Sequence, residues 1–187
     1  MSDQAILITV VAVLAAMSLV AWAVWAESKR RRARALHERF GPEYAQARQE
    51  YGRQAEQELE KRVRRVNRLH LRPLRAEARD EFAVAWRSTQ ARFVDDPRLA
   101  VAEADRLITD VMEARGYPMA DFERRAADIS VEHPRVVSDY RTAHAIAERS
   151  GRSDTTTEDL REAMVHYKAM FQDLLSVGSR ELEEVRS

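Results

Sequence analysis

DPRLAVAEADRLITDVMEARG, residues 96–116, decides the fold class of this chain. Val101, Ala104, Ile108 and Val111 recur at intervals of three, four and three, with Leu107 and Met112 beside them. That spacing puts the apolar side chains on one stripe of an α-helix. Asp96 before Pro97 reads as an N-cap followed by proline at the first helical position, and Gly116 reads as the left-handed residue that closes the helix.

The same grammar extends on both sides. Upstream, Ala78, Phe82, Trp86 and Phe93 form an aromatic stripe from Leu74 to Val94, whose ordinary use is core packing. Downstream, Tyr117-Pro118 opens a short helix to about Ile129 with Phe122, Ala126 and Ile129 on its apolar face. Pro134 opens another to Arg149, with Val137, Tyr140, His144 and Ala147 aligned. Thr155 and Glu158 have capping-box spacing before a last helix, 157–176, with Leu160, Met164, Tyr167, Phe171 and Leu174 on one side. No segment alternates with period two, so the expectation is an all-α protein, with a compact acidic bundle of about five helices over 73–177 and a flexible tail over 178–187.

Residues 42–71 are richer in Glu, Gln, Arg and Ala, with a thin apolar seam through Tyr44, Ala47, Tyr51, Ala55, Leu59, Val63, Val66 and Leu69. They read as a long charged stalk helix started by Gly41-Pro42 and ended by Pro73, and the seam makes a homodimer through the stalk conceivable. Lys61, Arg62, Arg64, Arg65, Arg68 and Arg72 form a cationic cluster here, joined by Arg75. It reads as a solvated face or as a contact for a protein partner or anionic lipid.

Residues 5–26, AILITVVAVLAAMSLVAWAVWA, contain no charge, and 22 residues of helix span roughly 33 Å against a hydrocarbon layer of about 30 Å. They are expected to form a transmembrane helix within an anchor over 1–26, with Trp22 and Trp25 at the headgroup boundary. Lys29, Arg30, Arg31, Arg32 and Arg34 follow at once, in a basic juxtamembrane and stalk region over 27–72. The positive-inside rule then places the N-terminus outside and the C-terminal domain in the cytoplasm at the inner membrane, with the lipid bilayer as a partner. Ala21-Trp22-Ala23 resembles a signal-peptide cleavage site, but no Lys or Arg precedes the run, which is also long for such a segment.

Formal net charge is zero, yet it averages two unlike parts: residues 1–75 carry plus 7 and residues 76–187 carry minus 7. Nucleic acid is therefore not expected as a partner of the acidic part. The absence of cysteine excludes disulfides, thiolate metal sites and cysteine nucleophiles. The histidines, His37, His70, His133, His144 and His166, show no metal-binding spacing, and His144 reads as a core or interface residue beside Tyr140. No glycine-rich phosphate loop occurs, so no catalytic residue, metal or cofactor is expected.

Trp86-Arg-Ser-Thr-Gln90, Arg92-Phe-Val-Asp-Asp-Pro97, Arg115-Gly-Tyr-Pro118, His133-Pro-Arg-Val-Val137 and Tyr140-Arg-Thr-Ala-His144, with Arg39-Phe-Gly-Pro-Glu-Tyr44 upstream, resemble an uncharacterised group of bacterial single-pass membrane proteins. The resemblance implies membrane anchorage and brings no assigned activity. The expected role is that of a membrane-anchored cytoplasmic scaffold or adaptor acting through an unknown protein partner. Anionic-lipid binding or membrane remodelling, and an enzyme with an unfamiliar site, are the alternatives.

Overall fold

Asp96 and Gly116 bound their helix as their chemistry requires. The Asp96 carboxylate accepts from the Leu99 amide at 3.0 Å, and Gly116 adopts φ 95° with its amide returned to the Glu113 and Met112 carbonyls. A Cβ at Gly116 would lie 2.9 Å from the His70 carbonyl oxygen, so glycine is demanded there by conformation and by space. The computed structural model describes residues 2–150 and 155–184, and side chains for 14, 16–150 and 155–176.

Eight α-helices are present among them: α1 Ser2–Phe40, α2 Pro42–Tyr51, α3 Ala55–Val66, α4 Ala76–Arg92, α5 Pro97–Arg115, α6 Phe122–Ile129, α7 Val137–Arg149 and α8 Thr157–Glu184, with a 3₁₀ turn at Gly52–Gln54. The chain divides into two units, Met1–Arg39 and Phe40–Ser187.

In the first unit, α1 runs unbroken from the apolar stretch into the basic one. Trp22 and Trp25 are exposed, the Lys29 ammonium stands 5.3 Å from the Trp25 ring centre, and Arg31 pairs with Glu27 at 3.0 Å. The expected transmembrane helix is corrected: among the described residues no helix is long and apolar enough to cross a membrane. Residues 5–13 and 15 of the expected span lie outside those whose side chains are described.

In the second unit, α8 is the hub, packed chiefly on α7 and α5. Helix α4 lies against α5, and the α2–α3 pair rests α3 on α6 and α2 on α7. The core gathers Val101, Ile108, Val111 and Met112 of α5 with Tyr140, Ala143 and Ile146 of α7 and Leu160, Tyr167, Met170, Phe171 and Leu174 of α8. The aromatic stripe of α4 joins it: Trp86 is buried and stacks on Phe171 at 4.8 Å, while Phe82 and Phe93 pack half-buried beside it. Helices α4 to α8 carry this core, in a unit that also takes in α2 and α3.

The long stalk helix is a second correction. Residues 42–66 fold back on themselves at Gly52, whose φ of 54° ends α2, and the two short helices are part of the same unit as the bundle. Phe40, Tyr44, Ala47, Ala55, Leu59 and Val66 are buried. Most of the seam is therefore covered within this chain, with Tyr51 exposed and Val63 half-buried. Other boundaries also move: α6 begins at Phe122 and α7 at Val137, later than the openings expected at Pro118 and Pro134. Thr156 and Asp159, not Thr155 and Glu158, form the reciprocal cap of α8, with Asp159 N to Thr156 Oγ1 at 3.1 Å and Thr156 N to Asp159 Oδ2 at 2.8 Å. Helix α8 also continues past Gly178 to Glu184, where a tail was expected from 178; residues 185–187 lie outside the described ones.

Two buried polar clusters brace the second unit. Glu43 at the start of α2 accepts from Arg62 of α3 at 2.8 Å and from Arg141 of α7 at 2.6 Å. Arg115 at the end of α5 faces His133 Nε2 at 2.9 Å, the Leu174 carbonyl at 3.4 Å and Glu132 at 3.4 Å. A guanidinium offers only donors, so His133 Nε2 accepts and its Nδ1–H donates to Asp173 at 2.5 Å. Tyr117 donates to Glu132 at 2.7 Å, and burial together with that carboxylate pushes its phenol far above the ordinary range.

Candidate functional site: the cleft between α6 and α7

Asp121 caps α6 by accepting from the Arg124 amide at 2.9 Å, which sets Phe122 and Glu123 on its first turn. On α7, Arg141, His144, Ala145 and Glu148 follow at helical spacing along one face. Together with Asp121, Phe122 and Glu123 they line an open cleft of about 580 Å³. Its floor is aromatic. The Phe122 ring and the His144 imidazole stack at 3.7 Å with an 8° tilt, and Tyr140 leans on Phe122 at 4.9 Å.

The floor is held from beneath. His144 Nδ1 lies 3.2 Å from Asp105 Oδ1 on α5, and the Tyr167 hydroxyl donates to the same oxygen at 2.7 Å. With Nδ1–H donating to Asp105, His144 turns Nε2 toward Glu148, 3.6 Å away. Burial opposes ionisation of Asp105, but hydrogen bonds from His144 and Tyr167, with the His144 and Arg125 charges, outweigh it and hold its carboxyl below the ordinary value. Burial and the Asp105 charge push the Tyr167 phenol far upward. Burial also raises Tyr140, which Arg125, donating to its hydroxyl at 3.4 Å, partly offsets. Arg125 further donates to the Ala120 carbonyl at 2.6 Å, tying down the segment that enters α6.

The lowered Asp105 value sets a sign for acid stability. A depressed folded-state pKa contributes stability above the unfolded value, about 3.9, and loses it as pH falls through the folded one. Urea midpoints of the wild type and Asp105→Asn between pH 2 and 7 should therefore differ most near neutrality. The gap should close progressively below about pH 4.

The cationic residues expected to contact a partner or lipid do not share one face. Lys61, Arg64 and Arg68 are exposed, with Lys61 3.8 Å from Glu58 and Arg64 3.3 Å from Glu60. Arg62 is only 2 % exposed on Glu43, and Arg65 is half-buried against Asp128 of α6. Arg72 is exposed but donates to the Ala114 carbonyl at 3.3 Å. Trp22, Trp25 and the basic residues Lys29 to Arg34 belong to α1, in the first unit.

His144 is where its spacing put it, beside Tyr140 on a largely apolar face. Its partners Asp105 and Phe122, and the Arg141–Glu43 pair, carried no local signal, because each contact joins separate helices. Among the described residues no group of His, Asp and Glu is arranged to hold a metal ion. The cleft sets charged side chains at the rim of an aromatic floor that hydrogen bonds fix in place. Comparison of the chain with protein-family models, with curated proteins and with solved structures gives no match.

Proposed function

We propose that this protein acts by binding, as a helical scaffold or adaptor that holds a protein partner in the α6–α7 cleft. The observation that carries the reading is the pre-set floor. Phe122 and His144 are stacked, His144 is pinned through Asp105 and Tyr167 to α5 and α8, and Arg141 is pinned through Glu43 to α2. A concave site with an apolar base that needs no ordering on binding wastes little entropy when a partner arrives. The lipid reading draws less from the same residues, since Arg62 and Arg65 are spent inside the fold.

A photo-activated cross-linker placed at Ala145 in the full chain, in its native host, tests this against one placed at exposed Val84 of α4. A discrete protein adduct is expected from Ala145 and not from Val84. No adduct from Ala145, together with turnover of a small molecule that His144→Gln abolishes, would replace the adaptor with an enzyme using the Asp105–His144 pair as its acid–base couple.

A further inference from the structure

We infer that the α6–α7 cleft receives a cationic side chain, an arginine or lysine projecting from a basic segment of the partner. The inference rests on the binding reading above and adds the chemistry of the occupant. Three carboxylates line the cleft, from Asp121, Glu123 and Glu148, against one permanent cation, Arg141. That cation is engaged through Nη1, while its Nε is buried without a hydrogen-bond partner. Its Nη1 donates to Glu43 Oε2 at 2.6 Å and approaches Gln46 Oε1 at 3.4 Å, both on α2 behind the cleft. His144 is likewise engaged through Nδ1 with Asp105.

The rim carries more carboxylates than permanent cations, although Asp121 also accepts from the Arg124 amide and Glu148 stands 3.6 Å from His144 Nε2, so an incoming cation is favoured over an anion. The base is the opposite of the rim. Phe122, the flat His144 ring and Ala145 give an apolar bed, and the methylene stem of arginine or lysine lies on such a bed while its head reaches the carboxylates at the edge. Arginine suits it better than lysine, because its planar fork spans two carboxylates at once. The cleft volume, about 580 Å³, falls in the range of sites that enclose a side chain or small ligand.

The test uses the full chain and a fluorescent twelve-residue peptide with the sequence of residues 28–39, SKRRRARALHER, beside the same peptide with its Lys and Arg replaced by Gln. Fluorescence anisotropy should show binding of the basic peptide and not of its neutral form, weakening about tenfold or more between 50 and 500 mM salt. The double variant Glu123→Lys with Glu148→Lys, with thermal stability checked alongside, should bind about tenfold or more weakly, since each exposed pair contributes roughly two- to fivefold and reversal adds repulsion. Equal binding of both peptides, or affinity unchanged in the double variant, overturns the inference. An inert basic peptide beside a persistent Ala145 adduct overturns the cationic occupant and leaves the adaptor reading standing; loss of the adduct as well removes both.

Discussion

Glu43→Ala is expected to destabilise the second unit by about 3–5 kcal/mol, measured by urea denaturation at neutral pH. The substitution removes one small side chain but strands two buried guanidiniums. Arg62 is 2 % exposed and Arg141 is largely covered, and Glu43 is the carboxylate that meets both, at 2.8 and 2.6 Å. Glu58 stands 3.8 Å from Arg62 Nε and screens only one of them. Removing one partner of a buried ionic group leaves uncompensated charge in a medium that solvates it poorly, and that cost exceeds the lost attraction. Hydrogen exchange should localise the damage, with α2 and α3 losing protection before α5 and α8. Replacing all three residues together by apolar ones of similar volume should restore most of the stability, because no charge is then left to solvate. If Glu43→Ala costs under 1 kcal/mol, the triad does not hold the hairpin to the bundle.

Arg115→Ala carries the second large effect, again about 3–5 kcal/mol, through the loss of a buried long side chain and of every partner it satisfies. Arg115 joins the end of α5 to the His133 ring, to Glu132 and to the Leu174 carbonyl of α8, and its guanidinium also lies 5.9 Å from the centre of the Tyr117 ring. Without it, the buried His133 Nε2 faces a cavity instead of a donor, while the exposed Glu132 keeps the Tyr117 hydroxyl. Arg115→Lys should recover less than half of the loss, since one ammonium cannot address an imidazole, a carboxylate and a carbonyl from a single fork. Full rescue by lysine, read from the same urea midpoints, would mean that the charge alone matters.

Both clusters show where local reading stops. Arg62 sits in a run of cations, Lys61 to Arg68, that reads as one solvated face. The buried side of α3 is Ala55, Leu59, Arg62 and Val66, so a charged residue takes the place that Val63 would fill in a purely apolar seam. Glu43, 19 residues earlier, makes that burial tolerable, and Glu43 is itself shared with Arg141, 98 residues later. A glycine such as Gly52 weakens a helix interior by about 1 kcal/mol relative to alanine, but whether the helix bends there depends on what its two halves can bury. The bundle supplied α6 and α7 for them to bury against.

What the sequence by itself determined is what residues within about four positions of one another can settle. The period of Val101 to Met112, the Asp96 cap, the Gly116 stop and the lack of any period-two run specify helices and the face each turns inward, though not where α6 and α7 begin or where α8 ends. Tertiary structure alone decided the fold-back of α2 and α3, the inward turn of Arg62 and Arg65, and the meeting of Asp105, Phe122 and His144 that floors the cleft. The reason is physical: helix formation and capping are satisfied within a turn or two of chain, whereas a buried charge or a stacked ring is satisfied only by whichever distant helix brings its counterpart within reach.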